Sequence, residues 1–240
     1  ANVQNTALDL ERRFPLRRDD VFLCKTSFTF DIFGTELYGW LVGEGRLAIL
    51  PAGQEGDLPA LLDAVHNYGV THLNTSPTLL RVLLKAIDST GRQNDLESLR
   101  HLFSGGEALS PDIIQHFFAL GLACSLENVY GPTEATMWAT HTQIHPEDCA
   151  GNAPIGTPLN DYRLYVLNPQ GQLCGTDLPG ELCIAGAGVG VGYLNQNELT
   201  AHHFIDNPFA DTADAEHMHR MYRTGDLGFL RPDGRFSFLR

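Results

Sequence analysis

The stretch ENVYGPTEAT, residues 127–136, has the pattern of a strand that ends in a tight turn and is followed by the start of a helix. A Gly-Pro pair turns the backbone directly after Tyr130, and Thr133 with Glu134 forms a common helix opening. In an open sheet of parallel strands, junctions of this kind gather at the carboxyl ends of the strands, where ligands bind. The stretch therefore predicts an α/β sheet and indicates the edge where a binding site should lie.

The chain before this stretch alternates between short apolar segments, typical of strands, and longer segments with apolar residues at helical spacing. Strands that alternate with helices of this length imply a mostly parallel sheet flanked by helices. The predicted strands are residues 21–25, 46–50, 71–75, 101–103 and 123–129. The predicted helices are residues 35–41, 57–68 and 113–120, with a further one that starts at Ser76-Pro77.

The chain after residue 146 has a different pattern, in which short strand-like segments are separated by Asn-Pro, Pro-Gly and Asp-Gly turns. These segments are residues 161–167, 181–185 and 235–239. They indicate an antiparallel, barrel-like part. The predicted organisation is a solvated connector at residues 1–20, an α/β sheet subdomain at 21–150 and a β-rich subdomain at 151–240.

The composition argues against several classes of function. A formal net charge of −13 argues against a nucleic-acid-binding surface, which relies on clustered Lys and Arg. The five cysteines are scattered without metal-ligand spacing, so we expect neither a zinc site nor a disulfide framework. No apolar run approaches the roughly 20 residues that span a bilayer, so we expect a cytoplasmic protein without a membrane partner. Because the chain starts without Met and ends in mid-pattern, we also expect it to be part of a longer protein.

The opening stretch carries side chains suited to a nucleotide. Tyr130 offers a flat face on which a base can stack, and the hydroxyl of Thr133 can reach a phosphate oxygen. Glu134 can hold Mg²⁺, which prefers carboxylate and phosphate oxygens, and the N–H groups at a helix start favour a phosphate. A capped turn without a ligand would have the same sequence, so this stretch alone leaves both interpretations open.

Two further stretches lie at predicted strand ends. MYRTGDLGFL, residues 221–230, places Asp226 in a tight turn where it can accept hydrogen bonds from both hydroxyls of a ribose, although an ordinary surface turn is an alternative. LFSGGEALSP, residues 102–111, contains Gly105 and Gly106, which allow a ligand close to the backbone. By itself this second stretch is equally a plain strand-to-helix loop.

Together, the three stretches resemble the adenylate-forming (AMP-binding) superfamily, in which YGPTE-, RTGD- and GGE-type segments occur in the same order at similar separations. The likeness extends to KTSFTFDIF at residues 25–33, to GELCIAGAGVGVGYLN at residues 180–195 and to the final FLR, which looks like the start of that family's hinge. It covers essentially the whole chain. The fold that it implies is part of the large domain of such an enzyme.

The resemblance implies ATP and Mg²⁺ as cofactors. Tyr130 would stack on adenine, Asp226 would bind the ribose, and Thr133 and Glu134 would be the catalytic residues, at the α-phosphate and at Mg²⁺ respectively. The implied reaction is attack of a carboxylate on the α-phosphorus, which gives an acyl-adenylate and pyrophosphate. The residues that the resemblance assigns to ATP are Gly105, Gly106, Glu107, Asn128, Val129, Tyr130, Gly131, Thr133 and Asp226.

The resemblance also implies an amino-acid substrate. In peptide-synthetase relatives, an Asp at the place of Asp31 holds the α-ammonium, because a semi-buried ammonium without a carboxylate is costly; a helix cap is the alternative role. Large residues in the implied pocket leave room for a small side chain: glycine first, then alanine, threonine or cysteine, with Asn74 as a partner for a hydroxyl. Trp138 is equally well explained as ordinary core. The residues assigned to the amino acid are Asp31, Ile32, Thr35, Asn74, Phe103, Gly105, Val129, Met137 and Trp138.

The predicted function is that of a nonribosomal peptide synthetase adenylation domain, which activates a small amino acid for the phosphopantetheine thiol of a carrier protein. An acyl- or aryl-coenzyme A ligase of the same superfamily and a non-catalytic nucleotide-binding fragment remain alternatives. The family's phosphate loop would lie before Ala1 and its small domain with a catalytic lysine after Arg240, so the chain alone should turn over poorly. Val191 stands where relatives often carry Arg, which puts one polar contact in doubt.

Overall fold

The computed structural model describes residues 2–239, apart from the side chains at positions 40 and 41. The chain forms two compact units. The first, here called the α/β unit, consists of Leu10–Asn128 and Gln143–Ala153. The second, the β-rich unit, consists of the residues up to Asp9, Val129–Thr142 and the chain from Pro154 onward. This division differs from the predicted subdomains 21–150 and 151–240, because residues 129–142 and the start of the chain belong to the β-rich unit.

The α/β unit is built on a parallel sheet, as the alternation of strands and helices predicts. The strand order is β2-β1-β3-β4-β5, and the neighbouring strands are all parallel. The elements from the start of the chain are α1 (Asn2–Arg13), β1 (Val21–Cys24), α2 (Phe33–Val42), β2 (Arg46–Ile49), α3 (Leu58–Tyr68), β3 (His72–Thr75), α4 (Pro77–Thr90), β4 (His101–Ser104), α5 (Pro111–Ala119) and β5 (Ser125–Tyr130).

Local residues set the ends of two helices in this unit. The side chains of Asp57 and Ser76 each accept a backbone N–H three residues further on, at 3.2 Å, and a proline follows within the first turn. Gly69 and Gly91 end the same helices in the left-handed conformation, which glycine adopts without strain. Between the helices and the sheet lies a core of mostly aliphatic side chains, including Leu61, Leu73, Leu80, Leu83, Leu84 and Leu102.

The start of the chain is a helix rather than the predicted connector. Helix α1 buries Ala7 and Leu10, and Phe14 is buried directly after it, so apolar residues recur at helical spacing. The basic residues that suggested a solvated segment lie at the end of this helix and after it. The prediction was wrong for residues 2–13 because the charged end of the helix hid a short apolar stripe.

The β-rich unit is an antiparallel sheet. Its strand order is β6-β7-β12-β11-β9-β8, with β10 paired to β11. Antiparallel pairing was predicted correctly, but within the described residues this order is open rather than closed into a barrel. The elements are β6 (Thr140–Gln143), β7 (Pro154–Pro158), β8 (Tyr162–Leu167), β9 (Gly180–Gly186), α6 (Asn197–His203), β10 (Phe204–Asp206), β11 (Arg220–Leu230) and β12 (Phe236–Phe238). Across residues 2–239, no helix is both long enough and apolar enough to cross a bilayer.

Candidate functional site

The turn after β5 is held in a tight backbone arrangement inside the β-rich unit. The backbone N–H of Ala139 donates to the carbonyl of Tyr130 at 2.8 Å. A Cβ atom on Gly131 would lie 2.6 Å from the carbonyl oxygen of Met137 and 2.7 Å from the backbone N of Ala139. Only glycine fits this approach without moving backbone, so the residue type at position 131 is explained by packing.

The predicted helix start at Thr133 is a single turn of 3-10 helix, Thr133–Ala135. It ends at once because Thr136 and Met137 both adopt left-handed backbone conformations, with φ angles of 61° and 68°. A turn of this length has no sizeable helix dipole. The favourable field that the sequence predicted for a phosphate is therefore absent, and an exposed Thr133 hydroxyl with the nearby Glu134 carboxylate is what the turn presents.

Tyr130 and Asp226 lie 96 positions apart in the sequence and form a hydrogen bond, with the Tyr130 hydroxyl donating to Asp226 Oδ2 at 2.7 Å. Asp226 is shaped by its own turn, since its backbone N–H donates to Thr224 Oγ1 at 2.9 Å and Gly225 has a φ angle of 77°. Burial and the negative charge of Asp226 raise the pKa of the Tyr130 phenol, so the phenol remains a donor. The structure thus brings together two of the three motifs that the sequence identified.

The same part of the β-rich unit concentrates negative charge. Burial raises the pKa of the Asp226 carboxyl, the hydrogen bond from Tyr130 lowers it, and the charge of Glu134 raises it again, with a net shift above its ordinary value. A cation near these carboxylates would relieve this repulsion. Glu134 and the Thr133 hydroxyl are oxygen donors of the kind that Mg²⁺ accepts together with phosphate oxygens. Within residues 2–239 no group of three or more His, Cys, Asp or Glu side chains could hold a metal ion by itself, which fits a metal that arrives with a phosphate ligand.

Two tyrosines that sequence reasoning missed contact Glu134. The hydroxyl of Tyr193 donates to Glu134 Oε1 at 2.5 Å, and it lies 3.2 Å from the hydroxyl of Tyr222. Burial raises the pKa of both phenols, and the hydrogen bond to Glu134 raises that of Tyr193 further. Both tyrosines lie in stretches quoted for the resemblance, one residue after Gly192 and one before Arg223, which is the signal that could have found them.

In the α/β unit, a buried carboxylate holds the loop that follows β1. Glu36 is fully buried and accepts hydrogen bonds from the backbone N–H groups of Lys25 and Thr26, both at 3.0 Å, and from the Thr26 hydroxyl at 2.6 Å. Asp31 is half-buried and directly precedes Ile32, the residue at the N-cap position of α2. The loop that carries Asp31 is therefore fixed at both ends.

Three residues predicted for the amino-acid pocket form one hydrogen-bond chain in the α/β unit. Asn74 Nδ2 donates to Thr35 Oγ1 at 2.7 Å, and the Thr35 hydroxyl donates to the carbonyl of Ile32 at 2.8 Å. Since Thr35 spends its single proton on Ile32, the amide of Asn74 must face it with nitrogen. Asn74 Oδ1 is buried and has no hydrogen-bond partner among the described residues, which is rare for a buried acceptor.

The remaining predicted residues of the α/β unit lie at the ends of β4 and β5. Phe103 is buried in a cluster of rings and makes an edge contact with Phe14, with ring centroids 5.0 Å apart. Gly106 has a φ angle of 84°, and the exposed Glu107 accepts a hydrogen bond from the Thr78 hydroxyl. Asn128 is buried in the α/β unit; Val129, Met137 and Trp138 are buried in the β-rich unit, as either a pocket wall or ordinary core requires.

The chain was compared with known proteins. A family model described as AMP-binding enzyme matches residues 1–194. A protein of the linear gramicidin synthase of Brevibacillus parabrevis is 37% identical over 239 residues, which is 100% of this chain and 4% of that protein.

Two solved structures are also similar to it. The AMPPNP-bound form of the nonribosomal peptide synthetase FmoA3 superimposes with a TM-score of 0.90 at 26% identity, over 100% of this chain and 25% of that one. PA1221, a nonribosomal peptide synthetase protein containing adenylation and PCP domains, superimposes with a TM-score of 0.86 at 25% identity, over 99% of this chain and 46% of that one. The chain thus spans less than half the length of each of these three proteins.

Proposed function

This chain belongs to the family of AMP-binding enzymes, and on that premise we propose that it is the ATP- and amino-acid-recognition part of an enzyme that activates an amino acid as its adenylate. The observation that carries the proposal is the convergence of Tyr130, Glu134 and Asp226 in the β-rich unit, where three motif residues predicted for ATP and its metal lie together. The AMPPNP bound to FmoA3 supports ATP as the nucleotide. The reaction would be ATP plus an amino acid giving an aminoacyl-adenylate and pyrophosphate.

In this proposal each residue has one task. Asp226 accepts hydrogen bonds from the ribose, and the Tyr130 hydroxyl holds its carboxylate in place while the Tyr130 ring stacks on adenine. The Thr133 hydroxyl contacts the α-phosphate, and Glu134 holds Mg²⁺. When bound, Mg²⁺ would neutralise charge on the phosphate oxygens. Phosphoryl transfer is accelerated mainly by positioning and by such charge neutralisation, so the enzyme needs no nucleophile of its own.

We assign the α-ammonium of the amino acid to Asp31. Its loop is anchored by Glu36, so a carboxylate is held where a semi-buried ammonium would otherwise lack a partner. Small side chains fit the proposal best, as the large residues Phe103, Met137 and Trp138 imply. Within that group, the unpaired Asn74 Oδ1 favours a side chain that donates a hydrogen bond, such as threonine, over glycine, the first expectation from the sequence.

The product would be passed to the phosphopantetheine thiol of a carrier protein. Support comes from PA1221, which contains adenylation and PCP domains, and from the resemblance to peptide synthetases. No other partner is proposed.

The experiment that tests the function is amino-acid-dependent pyrophosphate exchange, run on the protein at its full natural length with a panel of carboxylic acids. We expect small amino acids to support exchange. Aryl or fatty acids as the best substrates would refute the amino-acid assignment in favour of a coenzyme A ligase. Failure of ATP to raise the melting temperature would refute nucleotide binding itself, because a bound ligand stabilises the folded state by mass action.

Asp31→Ala tests the ammonium assignment. We expect it to abolish amino-acid-dependent exchange while the Kd for ATP stays within about twofold of the wild-type value, since less than about 0.4 kcal/mol of binding energy is then affected. Asp88→Asn is the matched control, because Asp88 is an exposed carboxylate in the same unit that pairs with His116 at the surface, where such a contact contributes little. Loss of ATP binding in Asp31→Ala would show that Asp31 has a different role.

A further inference from the structure

Two phenol groups converge on the carboxylate of Glu134, and both belong to the β-rich unit. The Tyr193 hydroxyl donates to Glu134 Oε1, and the Tyr222 hydroxyl lies 3.2 Å from that of Tyr193. A phenol has a single proton, and Tyr193 gives its proton to Glu134. The contact between the phenols is therefore one in which Tyr222 donates, so the hydrogen bonds run in one direction, from Tyr222 through Tyr193 to the carboxylate.

The backbone and ring of Tyr193 are both held by neighbours. Its backbone N–H donates to Thr200 Oγ1 at 2.9 Å, and its ring makes an edge contact with Phe204, with centroids 5.4 Å apart. A Cβ on Gly192 would lie 2.4 Å from Thr200 Cγ2, so the loop can run this close to α6 only because residue 192 is glycine. The tyrosine is therefore placed by packing that does not depend on Glu134.

Tyr222 is placed independently as well. It is buried in β11, and its register partner on β10 is Phe204. Its ring lies 4.9 Å from that of Phe204 and stacks on His203 at 5.9 Å. One aromatic cluster thus sets the positions of both hydroxyls before any ligand arrives.

From this geometry we propose that Tyr193 is a positioning residue for the metal-binding carboxylate, with Tyr222 behind it. The inference rests on the proposed function, in which Glu134 holds Mg²⁺. A carboxylate on a one-turn 3-10 helix has several side-chain rotamers, and the hydrogen bond to Oε1 selects one of them. With Oε1 held, Oε2 is presented to the metal, in the way that outer hydrogen-bond partners orient metal ligands elsewhere.

The test is a titration of Mn²⁺ into the full-length protein in the presence of AMPPNP, followed by electron paramagnetic resonance of the free ion. Mn²⁺ prefers the same oxygen donors as Mg²⁺, and AMPPNP prevents turnover. We expect Tyr193→Phe, which removes one oxygen atom and keeps the ring, to weaken Mn²⁺ binding by about tenfold. Tyr222→Phe should shift it in the same direction by a smaller factor. Tyr165→Phe is the matched control, because its hydroxyl lies in the same unit and contacts Asn207 instead.

A second readout separates positioning from general damage to the fold. In pyrophosphate exchange, Tyr193→Phe should raise the Mg²⁺ concentration for half-maximal rate by about tenfold, while the rate at saturating Mg²⁺ changes by less than about twofold. A lower rate at all Mg²⁺ concentrations, together with a lower melting temperature, would indicate a structural role and overturn the proposal. Unchanged or tighter Mn²⁺ binding in Tyr193→Phe would overturn it as well.

Glu134→Gln distinguishes this inference from the function on which it rests. If Glu134→Gln weakens Mn²⁺ binding and Tyr193→Phe does not, the metal assignment stands and the positioning role is refuted. If Glu134→Gln binds Mn²⁺ as the wild type does, the metal assignment in the proposed function is itself refuted, and the positioning role with it.

Discussion

Gly131→Ala should destabilise the protein through a backbone collision. The added Cβ would stand 2.6 Å from the carbonyl oxygen of Met137, 2.7 Å from the backbone N of Ala139 and 2.9 Å from the Cα of Trp138. All three are backbone atoms, so no side-chain rotation relieves the contact. The two segments must separate, which strains the packing and weakens the hydrogen bond from Ala139 to Tyr130.

The cost of this substitution can be worked out from its parts. Overpacking in a tight site costs about 1 to 3 kcal/mol, and a weakened backbone hydrogen bond costs about 1 kcal/mol more. We expect a loss of about 2 to 4 kcal/mol in the free energy of unfolding, which lowers the midpoint of urea denaturation by about 1 M. Because residue 131 lies between Tyr130 and Thr133, the Kd for ATP should also rise.

Gly56→Ala is the matched control for this measurement. A Cβ at residue 56 meets nothing within 4 Å, and its backbone is outside the left-handed region. Its urea midpoint should stay close to that of the wild type. Equal midpoints for Gly131→Ala and Gly56→Ala would refute the reasoning, because the two variants differ only in the space available to the added methyl group.

Two further predictions concern titration and nucleotide binding. Burial, with a smaller effect from the nearby charge of His101, lowers the pKa of His72 from 6.5 to about 4; the unfolded chain therefore takes up the proton first, and stability that is complete above pH 6.5 is lost as the pH falls toward 4, by up to about 3 kcal/mol. His72→Phe, which cannot be protonated, should lose less stability than the wild type in urea denaturation between about pH 7 and about pH 4.5, and parallel losses would contradict this. Tyr130→Phe keeps the ring but removes the donor that orients Asp226, so calorimetry should show the Kd for ATP rising about tenfold, and an unchanged Kd would show that the hydrogen bond has no role in binding.

The α/β unit was largely predictable because its signals are local. The caps at Asp57 and Ser76, the terminal glycines and the apolar spacing of each helix all act within a few residues, so their meaning does not depend on the rest of the fold. The first helix was missed because its apolar stripe is short and is followed by charged residues. The short 3-10 turn after Pro132 was missed because a capping sequence predicts where a helix starts and not how soon the backbone leaves it.

The ligand-binding residues were predictable in kind but not in their contacts. Tyr130 and Asp226 were each singled out from a motif, yet nothing in either motif predicts that they share a hydrogen bond. Tyr193 and Tyr222 were not singled out, since a tyrosine in an apolar stretch is ordinary core until the partner of its hydroxyl is known. That partner, Glu134, lies 59 positions from Tyr193 in the chain.

The sequence by itself determined the class of sheet, the change to antiparallel strands and the motif residues of an AMP-binding enzyme, because periodicity, turn residues and short motifs are properties of neighbouring positions. Only the tertiary structure decided the membership of residues 129–142 in the β-rich unit, the isolation of Asn74 Oδ1 and the phenol pair on Glu134. Each of these depends on which distant segments the packed strands bring within hydrogen-bonding distance, about 3 Å, and local patterns carry no information about that distance.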